Sequence, residues 1–158
     1  MEARPTKTML TQHDEGTKPW NNIGLDFFQM KNHTYLVNFD YYTNYIEVDW
    51  MSTITSMKLI KTLKKQFSHF GIPSVIESDG GPQFISYEFS KFTTEWGIRH
   101  FTSSPNHQRP NGKAESAVKI IKNMIIKCNK EGSDQFEALI SWNREIPLDK
   151  IQVVVLVG

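Results

Sequence analysis

The sequence predicts an α/β fold, a mixed five-stranded sheet with helices on its faces. Three observations carry that expectation. Three short apolar or alternating stretches follow one another between Asn22 and Trp50 with only tight turns between them. The hydrophobic period then changes from two to about 3.6, the helical value. From there strand-like and helix-like stretches alternate, the pattern of a sheet that acquires parallel strands.

The elements follow in order. The run from Asn22 to Phe28 is apolar and aromatic, as a buried strand requires, and Thr34–Phe39 is a second of the same kind. Tyr45–Trp50 alternates apolar and polar residues, so these three strands read as an antiparallel meander. Ser52 or Thr53 is placed to cap a helix running to Phe70, with Ile54, Met57, Leu59, Ile60, Leu63 and Phe67 as its apolar face. Gly71 and Pro73 then stop it. Ser74–Ser78 is a fourth strand ending at Asp79, residues 86–96 form a second helix with Phe89, Phe92 and Trp96 on one side, and Arg99–Thr102 is a fifth strand. A loop from Ser103 to Lys113 precedes a long helix over 114–130 and a last one over 134–145. Five strands and four helices in this order make an α/β fold of ribonuclease H-like type.

Composition bounds the function. At 158 residues the chain suits one domain: a leader or linker over 1–18, a core over 19–147, and a divergent tail over 148–158. The net charge of +1 gives no global attraction to a polyanion, so any nucleic-acid surface must be a local cluster. Cys128 is the single cysteine, which excludes an internal disulfide and a thiolate zinc finger and fits a reducing compartment. No stretch approaches the roughly 20 apolar residues of a membrane helix, and we expect a soluble intracellular protein.

Three carboxylates fall where such a fold gathers ligands. Asp26 lies between Leu25 and Phe27 on a central strand, where burial is costly without a partner or a metal. Asp79 ends the fourth strand, and Glu115 opens the long helix at the edge of the face made by Ala114, Ala117, Val118, Ile121, Ile125 and Cys128. Each has a plainer reading: Asp26 satisfied by an arginine or backbone donors, Asp79 as turn chemistry, Glu115 as a carboxylate complementing a helix dipole. Together they meet the need of two-metal phosphoryl transfer for hard oxygen ligands converging from separate elements. Cys128 reads as a structural thiol, and His69, His100 and His107 lack metal-ligand spacing and read as structural or surface residues.

The strings Ser78-Asp-Gly-Gly-Pro-Gln-Phe84, Phe101-Thr-Ser-Ser-Pro105 and Asn111-Gly-Lys-Ala-Glu115 resemble the integrase catalytic core of retroviruses and gypsy-type LTR retrotransposons. Between Asp79 and Glu115 stand 35 residues, matching that family's D,D-35-E pattern, and 52 separate Asp26 from Asp79. The resemblance runs over about residues 18–147. It implies DNA integration by a polynucleotidyl transferase holding two Mg²⁺ (or Mn²⁺) ions on Asp26, Asp79 and Glu115. It also implies a nuclear location, homodimers or higher oligomers, and DNA as partner, both element ends and target. Lys119 and Lys122 share a helical stripe with Glu115 and are expected to grip DNA, joined by Arg109, Asn111 and Lys113 on the flap beside the metals.

The flap departs from the family at position 106, where a tyrosine is commoner, and at 108–110, where Pro-Gln-Ser is. Neither the family's His/Cys zinc domain nor its C-terminal DNA-binding domain is recognised, and the resemblance stops after Pro147. We therefore expect a truncated or frame-altered copy. Two other classes stay open at this point: a ribonuclease H-type nuclease, and a decayed or domesticated core that only binds DNA or dimerises.

Overall fold

The computed structural model describes residues 18–30, 32–103 and 113–146. Nine elements follow the predicted order: β1 (Asn22–Met30), β2 (His33–Asp40), β3 (Ile46–Met51), α1 (Ser56–Phe70), β4 (Val75–Asp79), α2 (Tyr87–Glu95), β5 (Arg99–Ser103), α3 (Lys113–Glu131) and α4 (Gln135–Arg144). The leader and the tail proposed from sequence lie outside the described residues, apart from Lys18. The sheet order is β3-β2-β1-β4-β5, antiparallel from β3 to β1 and parallel from β1 to β5. The meander is possible because Asn32 and Asn44 take the left-handed backbone its tight turns need, each at φ 65°. In the second turn the buried Asp40 carboxylate accepts from the Thr43 hydroxyl at 2.6 Å and from the Tyr42 and Thr43 N–H groups, each at 3.3 Å. Burial still holds the Asp40 carboxyl above its ordinary range.

Alternation along the strands divides the core into two layers. Ile23, Leu25 and Ile76 face α1 and α2, meeting Leu59, Leu63, Phe67, Phe89 and Phe92. Phe28, Tyr35, Val37 and Phe39 point the other way, against Ile121 and Ile125 of α3, with Leu139 and Trp142 of α4 beside them. Burial on both faces explains why β1 reads as a continuous apolar run.

Helix α1 corrects two expectations. Its cap is Thr55, not Ser52 or Thr53, and the Thr55 hydroxyl accepts from Lys58 N–H at 3.1 Å. Ile54 and Met57 are exposed, and the buried face is completed by the polar Thr62 and Gln66. Gln66 is admitted because its carbonyl accepts from Asn38 Nδ2 at 2.6 Å while its amide donates to Asp49. Gly71, at φ 95°, ends the helix as predicted, its N–H reaching Phe67 O at 2.8 Å. Ser86 and Asp134 cap α2 and α4. Helix α4 is fastened to the edge strand by Asn143, which accepts from Ile46 N–H and donates to Ile46 O, both at 2.9 Å. Among the described residues, no helix is long and apolar enough to cross a membrane.

Candidate active site

The two aspartates meet through strand register. In the parallel ladder of β1 and β4, Gly24 stands beside Glu77. Two residues further along each strand, past the last pair of this ladder, come Asp26 and Asp79. Adjacent strands run about 4.8 Å apart, and in-register side chains of parallel strands share a face. That face is the one α3 covers, because Asp26 alternates with Leu25 and Phe27 and lies on the side of Phe28. The carboxyl ends of parallel strands are where α/β sheets collect ligands.

Glu115 sits in the first turn of α3, which crosses β1 with Ile121 against the Phe28 cluster. The stretch from Ile121 back to Glu115 is about 9 Å of helix axis. The Glu115 side chain lies outside the described residues. Among the described residues no group of three His, Cys, Asp or Glu side chains could hold a metal ion. Thus two of the predicted carboxylates each lie two residues beyond the last β1–β4 pair, on the face over which the helix bearing the third is laid. The donor set is all hard oxygen, as Mg²⁺ or Mn²⁺ requires. The single cysteine, Cys128, is buried toward the far end of α3 with its thiol 3.8 Å from Asp134 O.

Local hydrogen bonds orient both aspartates. Asp26 is half-buried, and its Oδ1 accepts from Phe27 N–H at 2.8 Å. Asp79 is exposed, and its Oδ1 accepts from Gly81 N–H at 2.9 Å. A Cβ at Gly81 would stand 3.1 Å from that same oxygen, so glycine is what lets the amide approach. The turn is pinned at its far end by Phe84, which is buried and stacks on Phe27 at 5.2 Å between ring centres. Gln83 ties the turn to the segment before α1, donating to Ile54 O at 2.8 Å. Gly81 and Gln83 were missed from sequence as site residues, since Asp-Gly-Gly-Pro reads equally well as an ordinary turn.

Beside this end of the sheet runs a cleft of about 440 Å³, lined by Phe27, Phe28, Gln29, Thr34, Ile54, Gln83 and Lys122. Among the described residues Lys122 brings the only cationic group to that lining, and Lys119, three residues earlier on α3, is also exposed. Of the other predicted DNA contacts, Arg109 and Asn111 lie outside the described residues. Lys113 begins α3, with its side chain likewise outside. On the opposite face His100 packs edge-to-face on Phe89 at 4.9 Å and touches Ser78, and burial draws its pKa down to about 4.

The integrase core domain family matches residues 18–108, more than half of the chain. The chain belongs to the integrase core domain family. The matched span of this integrase core contains Asp26 and Asp79 and ends before Glu115. An uncharacterized protein of Caenorhabditis elegans, K02A2.6, is 39% identical over 116 residues, which are 73% of this chain and 9% of that protein. The Gag-Pro-Pol polyprotein of human T-cell leukemia virus 2 is 32% identical over 88 residues, 56% of this chain and 6% of the polyprotein. The integrase core therefore spans under a tenth of the length of these curated relatives.

Solved structures agree. A chain of the simian T-cell lymphotropic virus intasome, solved with the PP2A regulatory subunit B56 gamma, superposes with a TM-score of 0.65 at 26% identity, over 81% of this chain and 48% of that one. The dimeric form of the HTLV-2 integrase catalytic core, solved with magnesium, gives 0.57 at 27% identity, over 71% of this chain and 73% of that one. The BIV integrase catalytic core shares the fold at 0.62 and 16% identity, over 76% of this chain and 78% of that one. The fold is ribonuclease H-like, as expected from the order of elements.

Proposed function

We propose that this integrase core is a metal-dependent polynucleotidyl transferase that trims DNA ends and joins a 3′-hydroxyl to a target phosphodiester. The observation that carries the proposal is the β1–β4 pairing of Gly24 with Glu77, two residues before Asp26 and Asp79 on their strands, on the face crossed by α3. Asp26, Asp79 and Glu115 would hold two Mg²⁺ or Mn²⁺ ions, and bound divalent ions stabilise both the attacking and the leaving oxygen of an in-line displacement. Asp79 is prepared for this, since Gly81 occupies Oδ1 and its second oxygen takes no hydrogen bond among the described residues. In the joining step the 3′-hydroxyl oxygen bonds to the target phosphorus as the bond from that phosphorus to its own 3′-oxygen breaks. The attacking hydroxyl's proton passes to solvent, and the displaced oxygen leaves as a new 3′-hydroxyl. Lys119 and Lys122 steady the DNA backbone through phosphate contacts, with Lys122 doing so at the cleft wall. Arg109, Asn111 and Lys113 act on the DNA end.

The reading includes a homodimer or higher oligomer and work in the nucleus, where target DNA is. Its test is reversal of strand transfer on a branched oligonucleotide with Mg²⁺ or Mn²⁺, comparing the chain with Asp26→Asn, Asp79→Asn and Glu115→Gln. Metal-dependent joining abolished in all three variants supports it. A folded, inactive chain that binds DNA would replace it with a non-catalytic DNA-binding core. Cleavage of an RNA–DNA hybrid would replace it with a nuclease.

A further inference from the structure

Behind Asp79, on the sheet face turned away from α3, a short hydrogen-bonded series runs inward. Ser78 is buried, and its Oγ lies 2.9 Å from the Asp79 carbonyl oxygen and 2.7 Å from His100 Nε2. A serine hydroxyl carries one proton, and a carbonyl oxygen only accepts. The Ser78 proton is therefore spent on Asp79, and the Ser78 oxygen must accept from His100. That places a proton on Nε2, as in the neutral Nε2–H tautomer. Its surroundings favour the neutral form, because Phe89 lies edge-on at 4.9 Å and Phe84 at 6.4 Å. Burial also keeps the ring uncharged near neutral pH, with a pKa of about 4.

The ring bridges two strands and the turn. His100 stands beside Ile76 in the β4–β5 ladder, yet its ring reaches Ser78, two residues further along β4. The Phe84 it touches is the residue that anchors the turn after Asp79 against Phe27. One face of the peptide following Asp79 is thus held by Ser78 and His100, while the side chain of Asp79 is held by Gly81.

We propose that His100 is a positioning residue, which through Ser78 fixes the Asp79 peptide and thereby aims the Asp79 carboxylate. The proposal rests on the reading of Asp79 as a metal-holding group. A displacement of about 1 Å at a reacting centre costs about a hundredfold in rate, so loosening this peptide by half that distance should cost about tenfold.

The test pairs variants that fill the same space. His100→Phe keeps an aromatic ring and removes the donor, and His100→Gln keeps an N–H donor. Ser78→Ala removes the hydroxyl, and Ser78→Thr keeps it. Expected is a kcat for strand-transfer reversal about tenfold lower in His100→Phe and Ser78→Ala, with the KM for DNA within about twofold, and recovery in His100→Gln and Ser78→Thr. Unchanged kcat in both donor-less variants, or a loss carried by KM alone, overturns the proposal.

Nuclear magnetic resonance on the unmodified chain gives a reading independent of activity. The histidine ¹⁵N shifts should show His100 protonated at Nε2, and the Asp79 carboxyl ¹³C shift should move in Ser78→Ala. A proton on Nδ1, or an unmoved Asp79 shift, also overturns the proposal. An inactive wild-type chain with both expected shifts would sink the transferase reading and leave the positioning relay standing.

Discussion

Replacing Gly81 with alanine probes how tightly the turn controls Asp79. The added Cβ would stand 3.1 Å from Asp79 Oδ1, 3.7 Å from a Phe84 ring carbon and 3.9 Å from Gln83 Oε1. The last two are ordinary contacts, whereas the first is short, so the carboxylate must retreat by about 0.3–0.5 Å to reach a normal separation. Gly81 is not among the glycines with positive φ, and an alanine there brings no backbone strain. Stability should therefore change by less than about 1 kcal/mol. At about a hundredfold per ångström of misplacement, the metal-dependent rate should fall about four- to tenfold. The assay is strand-transfer reversal under saturating Mn²⁺, run beside a thermal melt. A rate equal to wild type would refute the reasoning. So would a rate loss matched by a fall in melting temperature of many degrees, since the effect would then be global.

Other perturbations test separate parts of the account. Asn143→Ala removes both bonds to the Ile46 backbone, and we expect a loss of about 1–3 kcal/mol in urea unfolding, led by release of α4 from β3. Lys122→Ala should weaken DNA binding uniformly across sequences and lower the slope of log K against log salt by about 1; an unchanged slope would remove Lys122 from the DNA surface. Glu47 has its pKa raised to about 7, first by burial, then by Asp49, with Lys65 opposing. The folded state thus holds its proton more tightly than the unfolded chain does. Its contribution is fully present below about pH 4.5 and is lost as pH rises through about 7. Its cross-strand neighbour Asn38 has a buried Oδ1 that meets no hydrogen-bond donor among the described residues, a natural acceptor for the protonated form. Glu47→Gln should flatten the decline in melting temperature between pH 5 and 7, and an unaltered profile would contradict the assignment.

Much of this architecture is legible in the sequence because it rests on local rules. Periodicity marked the nine elements, and Gly71 marked the end of α1. What escaped depends on contacts between distant segments. Thr55 caps α1 in place of Ser52 or Thr53 because all three residues suit the role, and only the path of the chain out of β3 decides among them. Met57 keeps helical spacing yet is exposed, while Gln66 is buried because Asn38 and Asp49 meet its amide from β2 and β3. That Asp26 and Asp79 each follow the last β1–β4 pair by two residues depends on the Gly24–Glu77 register, which no sequence spacing encodes. The Ser78–His100 contact likewise exists only once β4 and β5 are paired, so His100 reads from sequence as one more structural histidine.

The most direct test of the central claim is an anomalous difference map from crystals of this chain soaked in MnCl₂. The account predicts a manganese peak between the carboxylates of Asp26, midway along β1, and Asp79, at the end of β4, with Glu115 completing the ligands, and its loss in Asp79→Asn. A well-ordered map with no peak between those two aspartates, or a peak that survives Asp79→Asn, would contradict it.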